Sequence, residues 1–208
     1  MCMAKGVRAA RKEARPSEIL QAAFEEFSIR GYAATSVEHI AARAGVTKGT
    51  IYVYFSSKED VFENMVSDLA QPNIDISSYV EALGTRKTIE IISDLLNNIC
   101  ALIVDDPYKR EIIRFLVAES NSFQNLRSRN REEFARPILS AVEAIISYGC
   151  ESGEFRKEAE DIDAFVFASP ILGLNVMGHV DPHMNIPSPQ FMEQYLSMVR
   201  HFLLAPGA

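Results

Sequence analysis

The 208-residue sequence has few cysteines and no long apolar run. Cys2, Cys100 and Cys150 lie far apart and form no CxxC pair, so neither a disulfide framework nor a zinc ribbon is indicated. The segment MCMAKGVRAARKEARPSEIL contains no apolar stretch that could serve as a signal core, and no later segment approaches the length of a membrane span. We therefore expect a protein of the reducing cytoplasm with no membrane partner.

Catalytic motifs are also lacking. The sequence has no Gly-rich phosphate loop, no GxSxG, no HExxH and no carboxylate pair that stands out from ordinary helix-surface charge. Cys100 and Cys150 fall in apolar helical patterns and are interpreted as small hydrophobic residues before nucleophiles. His179, Asp181 and His183 form an HxDxH cluster without a clear further ligand. We predict no enzyme activity, no cofactor and no metal site.

Charge is present but unevenly distributed. The net charge is −7, yet the chain through Lys58 has nine Lys/Arg against five Asp/Glu, and the remainder has twelve against twenty-three. A basic head thus precedes an acidic body, which permits nucleic-acid binding through the head. An accidental basic tail would give the same count.

Helical periodicity dominates the chain, and it predicts an all-α fold of about nine helices. Apolar residues share one face of a first helix that Ser17 can cap and Gly31 can end. A short second helix follows, with Thr35 or Ser36 as its N-cap, and Ser57 with Asp60 resembles a capping box at the start of a fourth helix. Later stripes predict further helices: Ile89 to Ile103, Ile112 to Leu116, Phe134 to Ile146, Ile162 to Met177 and Phe191 to Leu204.

The two short helices around Gly45 have the spacing of a helix-turn-helix. Such a motif needs a small residue inside its first helix and a residue tolerant of positive φ in its turn. Ala41 and Gly45 supply these two features, while Ile40, Val46 and Ile51 supply apolar contacts between the helices. A plain helical hairpin would keep the same apolar spacing.

The run SEILQAAFEEFSIRGYAATSVEHIAARAGVTKGTIYVYFSSKEDVFENMV contains three groups of characteristic residues: Ile19, Ala22, Ala23, Phe27, Gly31 and Tyr32; Thr35, Ile40, Ala41, Ala44, Gly45 and Val46; Gly49, Ile51, Tyr52, Tyr54, Phe55, Lys58 and Glu59. On these residues it resembles the N-terminal domain of the TetR family of bacterial transcriptional regulators. Tyr54 departs from the histidine that family members often carry, although a hydrogen-bonding ring is retained.

The resemblance implies a homodimeric regulator, expected to be a repressor, that binds double-stranded operator DNA and is controlled by a small-molecule effector. It implies a basic arm over residues 1–15, a three-helix helix-turn-helix DNA-binding domain over 16–73, and a helical effector-binding and dimerisation domain over 74–208. The expected DNA-binding residues are Thr35, Ser36, Thr47, Lys48, Gly49, Thr50, Tyr52, Val53, Tyr54 and Lys58.

Helical geometry gives several of these residues separate roles. At about 100° per residue, Ile51 and Phe55 point inward and place Gly49, Thr50 and Val53 on the outward face. Tyr52 and Tyr54 then flank that face, where phenolic hydroxyls can reach phosphates. Thr50 can bond a base edge, Val53 can touch a thymine methyl, and Gly49 allows close approach. Lys48 is expected to reach a phosphate or a base.

Three features keep two interpretations each. Thr47 is favoured as the N-cap of the recognition helix, with phosphate contact as the alternative. The Lys58 ammonium lies beside a helix N-terminus and either holds a phosphate there or is simply solvated. The arm is either a DNA-contacting segment or a disordered tail; its basic residues are Lys5, Arg8, Arg11, Lys12 and Arg15.

The remaining sites are expected in the second domain. Small and apolar side chains of the last two helices predict a dimer interface, although they can equally bury the domain's own core: Phe165, Ala168, Leu172, Gly173, Val176, Phe191, Tyr195, Val199 and Phe202. Candidate effector-pocket residues are drawn from helices expected to surround the core: Cys100, Ile103, Phe115, Glu119, Asn121, Phe123 and Met177. Arg127, Arg129 and Arg131 are interpreted as a solvated face. The alternative function is an all-helical ligand-binding or adaptor protein that has lost specific DNA binding, since Gly49 and Val53 offer no side-chain hydrogen bond.

Overall fold

The computed structural model describes residues 15–69, 74–119, 123, 128–129, 131–180 and 188–206. Within these ranges the chain forms ten α-helices and no strand, which confirms the all-α prediction. The helices are α1 Arg15–Ala34, α2 Val37–Arg43, α3 Lys48–Tyr54, α4 Lys58–Leu69, α5 Ile76–Glu81, α6 Thr88–Cys100, α7 Pro107–Glu119, α8 Arg136–Glu151, α9 Phe165–Val180 and α10 Ser188–Leu203. The chain divides into two compact units, Met1–Leu69 and Ala70–Ala208.

The first unit contains α1 to α4 around a small core. Ile19, Phe27, Ile40 and Ile51 are each completely buried, so truncating one of them to Ala would cost about 2–5 kcal/mol. Phe27 and Phe62 meet edge to face with ring centroids 5.1 Å apart, and this contact packs α1 against α4. The core therefore fixes the helices that flank α3.

Two boundaries in this unit differ from the sequence-based expectation. Ser17 lies inside α1, because the helix already includes Arg15, so Ser17 is not its cap. Gly31 has φ 76° and ψ 166°, which interrupts the helical backbone near the end of α1. Only a residue without a Cβ adopts this conformation without strain, so the predicted stop at Gly31 is confirmed.

The second unit is built around α6. Ile91, Ile92, Leu95 and Leu96 of that helix are completely buried and pack with side chains of α8 and α10. The short helix α5, capped by Asp75, is the element that the count of about nine helices missed. Its six residues are too few for a recognisable apolar period.

The segment after α8 ties the ends of two other helices together. The Glu154 carboxylate accepts the backbone N–H groups of Thr88 (2.8 Å) and Ile89 (3.0 Å), which caps the start of α6. Arg156 donates to the carbonyls of Leu204 (2.7 Å) and His201 (3.1 Å) at the end of α10. Both helix ends are thereby satisfied by charged side chains from one short stretch of chain.

Candidate nucleic-acid interface

The first helix of the motif, α2, begins with a complete capping box at Ser36. Ser36 Oγ accepts the backbone N–H of His39, and His39 Nδ1 accepts the N–H of Ser36, both at 3.3 Å. The cap thus belongs to Ser36 and not to Thr35. Thr35 is buried, and its hydroxyl lies 2.8 Å from the carbonyl of Gly31. This placement corrects the expectation of a DNA-facing Thr35 side chain, because the hydroxyl closes the end of α1 instead.

The turn between α2 and α3 has the geometry that the sequence requires. Gly45 has φ 64°, and the N–H of Val46 donates to the carbonyl of Ala41 at 3.0 Å. A Cβ at Gly45 would meet nothing within 4 Å, so glycine is needed for its backbone conformation and not for space. The predicted positive φ is confirmed.

The second helix, α3, presents the faces that helical geometry predicts. Thr47 is the N-cap, and its Oγ1 accepts the N–H of Thr50 at 3.1 Å, which confirms the favoured role of Thr47. Ile51 and Phe55 are buried, whereas Tyr52 is 47% exposed and Val53 is 74% exposed. Gly49 is exposed, while Thr50 and Tyr54 are half-buried. An exposed valine at the centre of this face indicates a surface made for contact.

Lys48, the first residue of α3, is joined to α2 by an ion pair. Its Nζ lies 2.5 Å from Glu38 Oε1, and both side chains are about half exposed. The hydrogen bond from Lys48 holds the pKa of Glu38 below its usual range, and the same bond raises the pKa of Lys48. Both groups are therefore charged at neutral pH.

Lys58 lies inside the unit and not where its sequence position suggested. Its Nζ donates to the carbonyls of Tyr32 (2.9 Å) and Thr35 (3.0 Å), and it lies 4.2 Å from the centroid of the Tyr32 ring. The expectation of an ammonium beside the N–H groups of α4 is therefore corrected. Lys58 instead fastens the start of α4 to two backbone carbonyls at the end of α1 and just beyond it.

The start of α4 is capped by two neighbouring side chains, Ser57 and Asp60. Ser57 Oγ accepts the N–H of Asp60 at 3.1 Å, as the capping box predicts. Asp60, however, accepts the backbone N–H of Ser56 at 2.7 Å, so the return bond of the box is shifted by one residue. Tyr32 OH donates to Glu59 at 3.0 Å.

A buried carboxylate, which the sequence analysis missed, joins α1 to α2. Glu26 is 5% exposed and receives hydrogen bonds from Arg43 Nε (2.6 Å) and Arg30 Nε (2.7 Å). These bonds, first that from Arg43 and then that from Arg30, lower the pKa of Glu26. The one signal in the sequence is that Glu26 falls on the buried face of α1, beside Ala23 and Phe27.

The charges of the described N-terminal unit are largely used internally. Residues 15–69 carry five Lys/Arg and eight Asp/Glu. Each of the five cations has an acceptor within the unit: Glu18 for Arg15, Glu26 for Arg30, Glu25 and Glu26 for Arg43, Glu38 for Lys48, and two carbonyls for Lys58. Residues 15–69 therefore do not present an unpaired basic patch of the kind that polyanion binding favours.

The predicted effector-pocket residues differ in burial within the second unit. Cys100, Ile103, Phe115 and Phe123 are buried, Glu119 is half-buried, and Met177 is 44% exposed; Asn121 lies outside the described residues. An open cavity of about 450 Å³ is lined by Asn97, Cys100, Asp105, Pro189, Met192, Glu193, Leu196 and Arg200. Cys100 is the predicted residue in this lining, and burial together with Asp105 raises its pKa to about 11.

The predicted dimer residues fall into two groups. Ala168, Tyr195 and Val199 are buried within the second unit, and Tyr195 OH donates to the carbonyl of Phe167. These three residues belong to the unit's own core, which corrects their assignment to an interface. Leu172 and Phe191 are half-buried, and Gly173 is exposed.

The other predicted dimer residues, Phe165, Val176 and Phe202, are exposed, as are four further apolar side chains of α9 and α10 that were not predicted as interface residues. We call these residues the α9–α10 face: Phe165 (53% exposed), Val166 (57%), Val176 (42%), Met177 (44%), Val180 (71%), Met198 (60%) and Phe202 (46%). On α9 the five residues lie within an arc of about 120° around the helix axis, at 100° per residue. A face of this size on a water-exposed surface indicates a contact with another molecule.

The described part of the chain contains no group of three or more His, Cys, Asp or Glu side chains placed to hold a metal ion. His179 Nδ1 lies 2.8 Å from the carbonyl of Asn175, while Asp181 and His183, like Arg127, lie outside the described residues. No described helix has the length and apolarity needed to cross a bilayer.

The helices α2 and α3 are each capped, are joined by a turn at Gly45, and leave the second helix exposed. This arrangement is a helix-turn-helix. Residues 19–65 match the family model described as bacterial regulatory proteins, tetR family. The N-terminal domain of the chain is thus of the TetR type, and the similar proteins support a DNA-binding transcriptional regulator.

Similar proteins extend the likeness beyond the matched residues. The fatty acid metabolism regulator protein of Bacillus subtilis is 28% identical over 155 residues, covering 73% of this chain and 76% of that protein. The transcriptional repressor KstR2 of Rhodococcus jostii is 27% identical over 206 residues, covering 94% of each. The crystal structure of FadR from Bacillus subtilis in complex with stearoyl-CoA has a TM-score of 0.64 at 21% identity, over 88% of this chain and 96% of that one.

Proposed function

We propose that the protein is a transcriptional repressor that binds operator DNA as a homodimer and releases it when a small molecule binds the second unit. The observation that carries the proposal is the exposed face of α3, where Val53 and Tyr52 project while Ile51 and Phe55 anchor the helix. The name of the Rhodococcus relative, a transcriptional repressor, supports the direction of control.

The α3 face suits the major groove of DNA. Gly49 lets the start of the helix come close to the bases, Val53 supplies a methyl surface for thymine, and Thr50 supplies the hydroxyl for a base edge. Tyr52 lies at the flank with its phenol exposed, and there it bonds a phosphate and fixes the register. With so few hydrogen-bonding groups on the face, sequence-dependent DNA shape supplies part of the specificity.

Homodimerisation is supported by the α9–α10 face. A second copy would cover the same apolar residues by two-fold symmetry and would bring two copies of α3 to one duplex. Half-sites are then expected about one helical turn, or a small multiple of it, apart.

Control by a small molecule is supported by the open cavity beside Cys100 and by the relatives. The Bacillus subtilis FadR structure contains stearoyl-CoA, so a similar fold holds a small molecule. In this chain a ligand that prefers a conformation with mis-spaced recognition helices would weaken DNA binding by its differential affinity for the two states.

We assign the electrostatic part of DNA binding to the basic arm and to Lys48, whose ammonium can exchange the Glu38 carboxylate for a phosphate. The cations of residues 15–69 are paired internally, whereas residues 1–14 add Lys5, Arg8, Arg11 and Lys12 to the chain. Deleting residues 1–12 is expected to flatten the dependence of log affinity on log salt, by about 0.9 for each phosphate that the arm neutralises. An unchanged slope would remove the arm from the interface.

Fluorescence anisotropy with the chain's own upstream DNA tests the proposal. We expect binding that survives an excess of unrelated competitor DNA and a stoichiometry of two chains per site. Binding that competitor abolishes would favour the second candidate, an adaptor or ligand-binding protein without specific DNA binding. The internal pairing of the five cations is the observation that favours this second candidate.

A further inference from the structure

Glu38 stands out among the carboxylates of the motif because it lies on the same exposed strip as the α3 face. Its Oε1 is 2.5 Å from Lys48 Nζ, and Lys48 Nζ lies 5.7 Å from the centroid of the Tyr52 ring. Glu38 and Tyr52 are both well exposed. Glu38, Lys48 and Tyr52 thus form one exposed cluster. A duplex that meets Tyr52 and Lys48 therefore also meets the Glu38 carboxylate.

Other carboxylates near the motif are used within the unit. Glu26 is buried between two arginines, Glu59 accepts the Tyr32 hydroxyl, and Asp60 caps the start of α4. Glu38 is held by a lysine that is itself half exposed. Exposed ion pairs of this kind are weak and exchange partners readily. Lys48 can thus pass from Glu38 to a phosphate.

That exchange leaves a negative charge in front of a polyanion. Once a phosphate takes Lys48, the Glu38 carboxylate is repelled by the DNA unless it finds a new donor. In the major groove the donor that suits a carboxylate is the exocyclic amino group of cytosine. A sequence with that amino group at the right place gives Glu38 a new donor, and other sequences leave its charge facing the DNA without the lysine.

We propose that Glu38 is a specificity-determining residue that accepts a hydrogen bond from the amino group of one cytosine in each half-site. On other sequences the carboxylate retains Lys48 and repels the backbone, so it lowers non-specific affinity. This inference rests on the proposed operator binding. It adds a repulsive element to a face otherwise made of methyl groups, hydroxyls and glycine.

The test compares E38Q with D68N, a matched control that removes one negative charge near the end of α4. Anisotropy is measured for the upstream DNA and for a scrambled duplex over a range of salt concentrations. For E38Q we expect several-fold tighter binding to the scrambled duplex and a salt slope steeper by about 0.9, because Lys48 is released to a phosphate. The ratio of specific to non-specific affinity should fall about fivefold or more, since one base contact supplies at least that discrimination.

Selection of DNA by each variant then identifies the base. E38Q should lose a cytosine preference at one position of each half-site, and D68N should keep it. If the wild-type protein discriminates between the two duplexes but E38Q keeps both the ratio and the selected sequence, Glu38 is only a counter-charge and the inference is overturned. If the wild-type protein does not discriminate at all, operator binding itself fails. Because Glu38 is exposed, E38Q should fold as the wild-type protein does, so changes in DNA binding would not come from unfolding. An unchanged circular dichroism melting curve for E38Q checks this.

Discussion

Two exposed surfaces of this protein, the face of α3 and the α9–α10 face, differ in how favourably water hydrates them. The face of α3 is short, and its apolar Val53 lies among the hydroxyls of Thr50 and Tyr52 and the charge of Lys48. The α9–α10 face contains seven apolar side chains that are each at least 42% exposed. The first surface can remain hydrated until it meets a hydrated, charged partner, whereas the second is stabilised when an apolar partner covers it.

Because of this difference, we expect binding at the two surfaces to respond differently to salt and to changes in apolar area. Contacts at α3 are expected to depend on salt and on single hydrogen bonds, because phosphates and bases are their partners. Contacts at the α9–α10 face are expected to depend on shape and apolar area, and little on salt. Variants that affect one sensitivity and not the other therefore test the assignment of the two surfaces.

The largest expected effect comes from a charge in the middle of the α9–α10 face. Val176→Asp would bury an unpaired carboxylate between two copies, so the dimer should dissociate at micromolar concentration. Affinity for the operator should fall about a hundredfold or more, because two linked heads bind far better than one. Light scattering and anisotropy measure these quantities. Val117→Asp, at an exposed valine of α7, is the control and should leave both unchanged.

A smaller effect is expected at the buried Glu26 carboxylate that joins α1 to α2. Glu26→Gln removes the charged acceptor of Arg43 and Arg30 and should cost about 1–3 kcal/mol of unfolding free energy at pH 7. The pKa of Glu26 is lowered on folding, so this stabilisation is complete above the ordinary pKa of a glutamate and is lost as pH falls through the folded value. Urea unfolding from pH 7 to pH 3 should show the two proteins converging in acid. A constant difference would contradict the role given to Glu26.

The two lysines of the motif allow a matched comparison. Lys58→Met removes the donor of two carbonyl bonds and should lower the unfolding free energy by about 1–2 kcal/mol. Lys48→Met breaks an exposed pair and should change stability little. Its salt slope for DNA binding, however, should become shallower by about 0.9. Equal stability losses for both variants would contradict the distinction between an internal and an exchanging ammonium.

The smallest expected effect is that of one hydroxyl. Tyr52→Phe should weaken binding to all DNA sequences by a few-fold, because the phenol contacts phosphate and carries no sequence information. Tyr54→Phe, on the half-buried flank of the same helix, provides the comparison, because its hydroxyl is also expected to reach a phosphate. DNA selection with both variants is the measurement, and a changed sequence preference for Tyr52→Phe would show that Tyr52 contacts a base.

The sequence predicted those features that depend on neighbours along the chain. The Thr47 cap, the positive φ of Gly45 and the inward side of α3 each follow from spacings of four residues or fewer. The hydrogen-bond partners of Lys58 did not follow from such spacings, since its ammonium donates to carbonyls 23 and 26 residues earlier in the chain. Periodicity gives the face of a helix but not the partner from another helix.

The same limit applies to the second unit. Ala168, Tyr195 and Val199 have the spacing of an interface as well as that of a core, and only their burial within the folded second unit assigns them to the core. Glu26 was missed for a related reason. A carboxylate on an apolar face is stabilised by Arg43, which lies 17 residues further along the chain. Residues whose role is set by a distant partner require the three-dimensional structure.

The most direct test of the central claim is selection of DNA fragments by the purified wild-type protein, followed by sequencing. We expect enrichment of an inverted repeat whose half-sites are about one helical turn, or a small multiple of it, apart, with one shared cytosine position in each half-site. Recovery of fragments without a common motif, at a salt concentration where the protein is folded and dimeric, would contradict it.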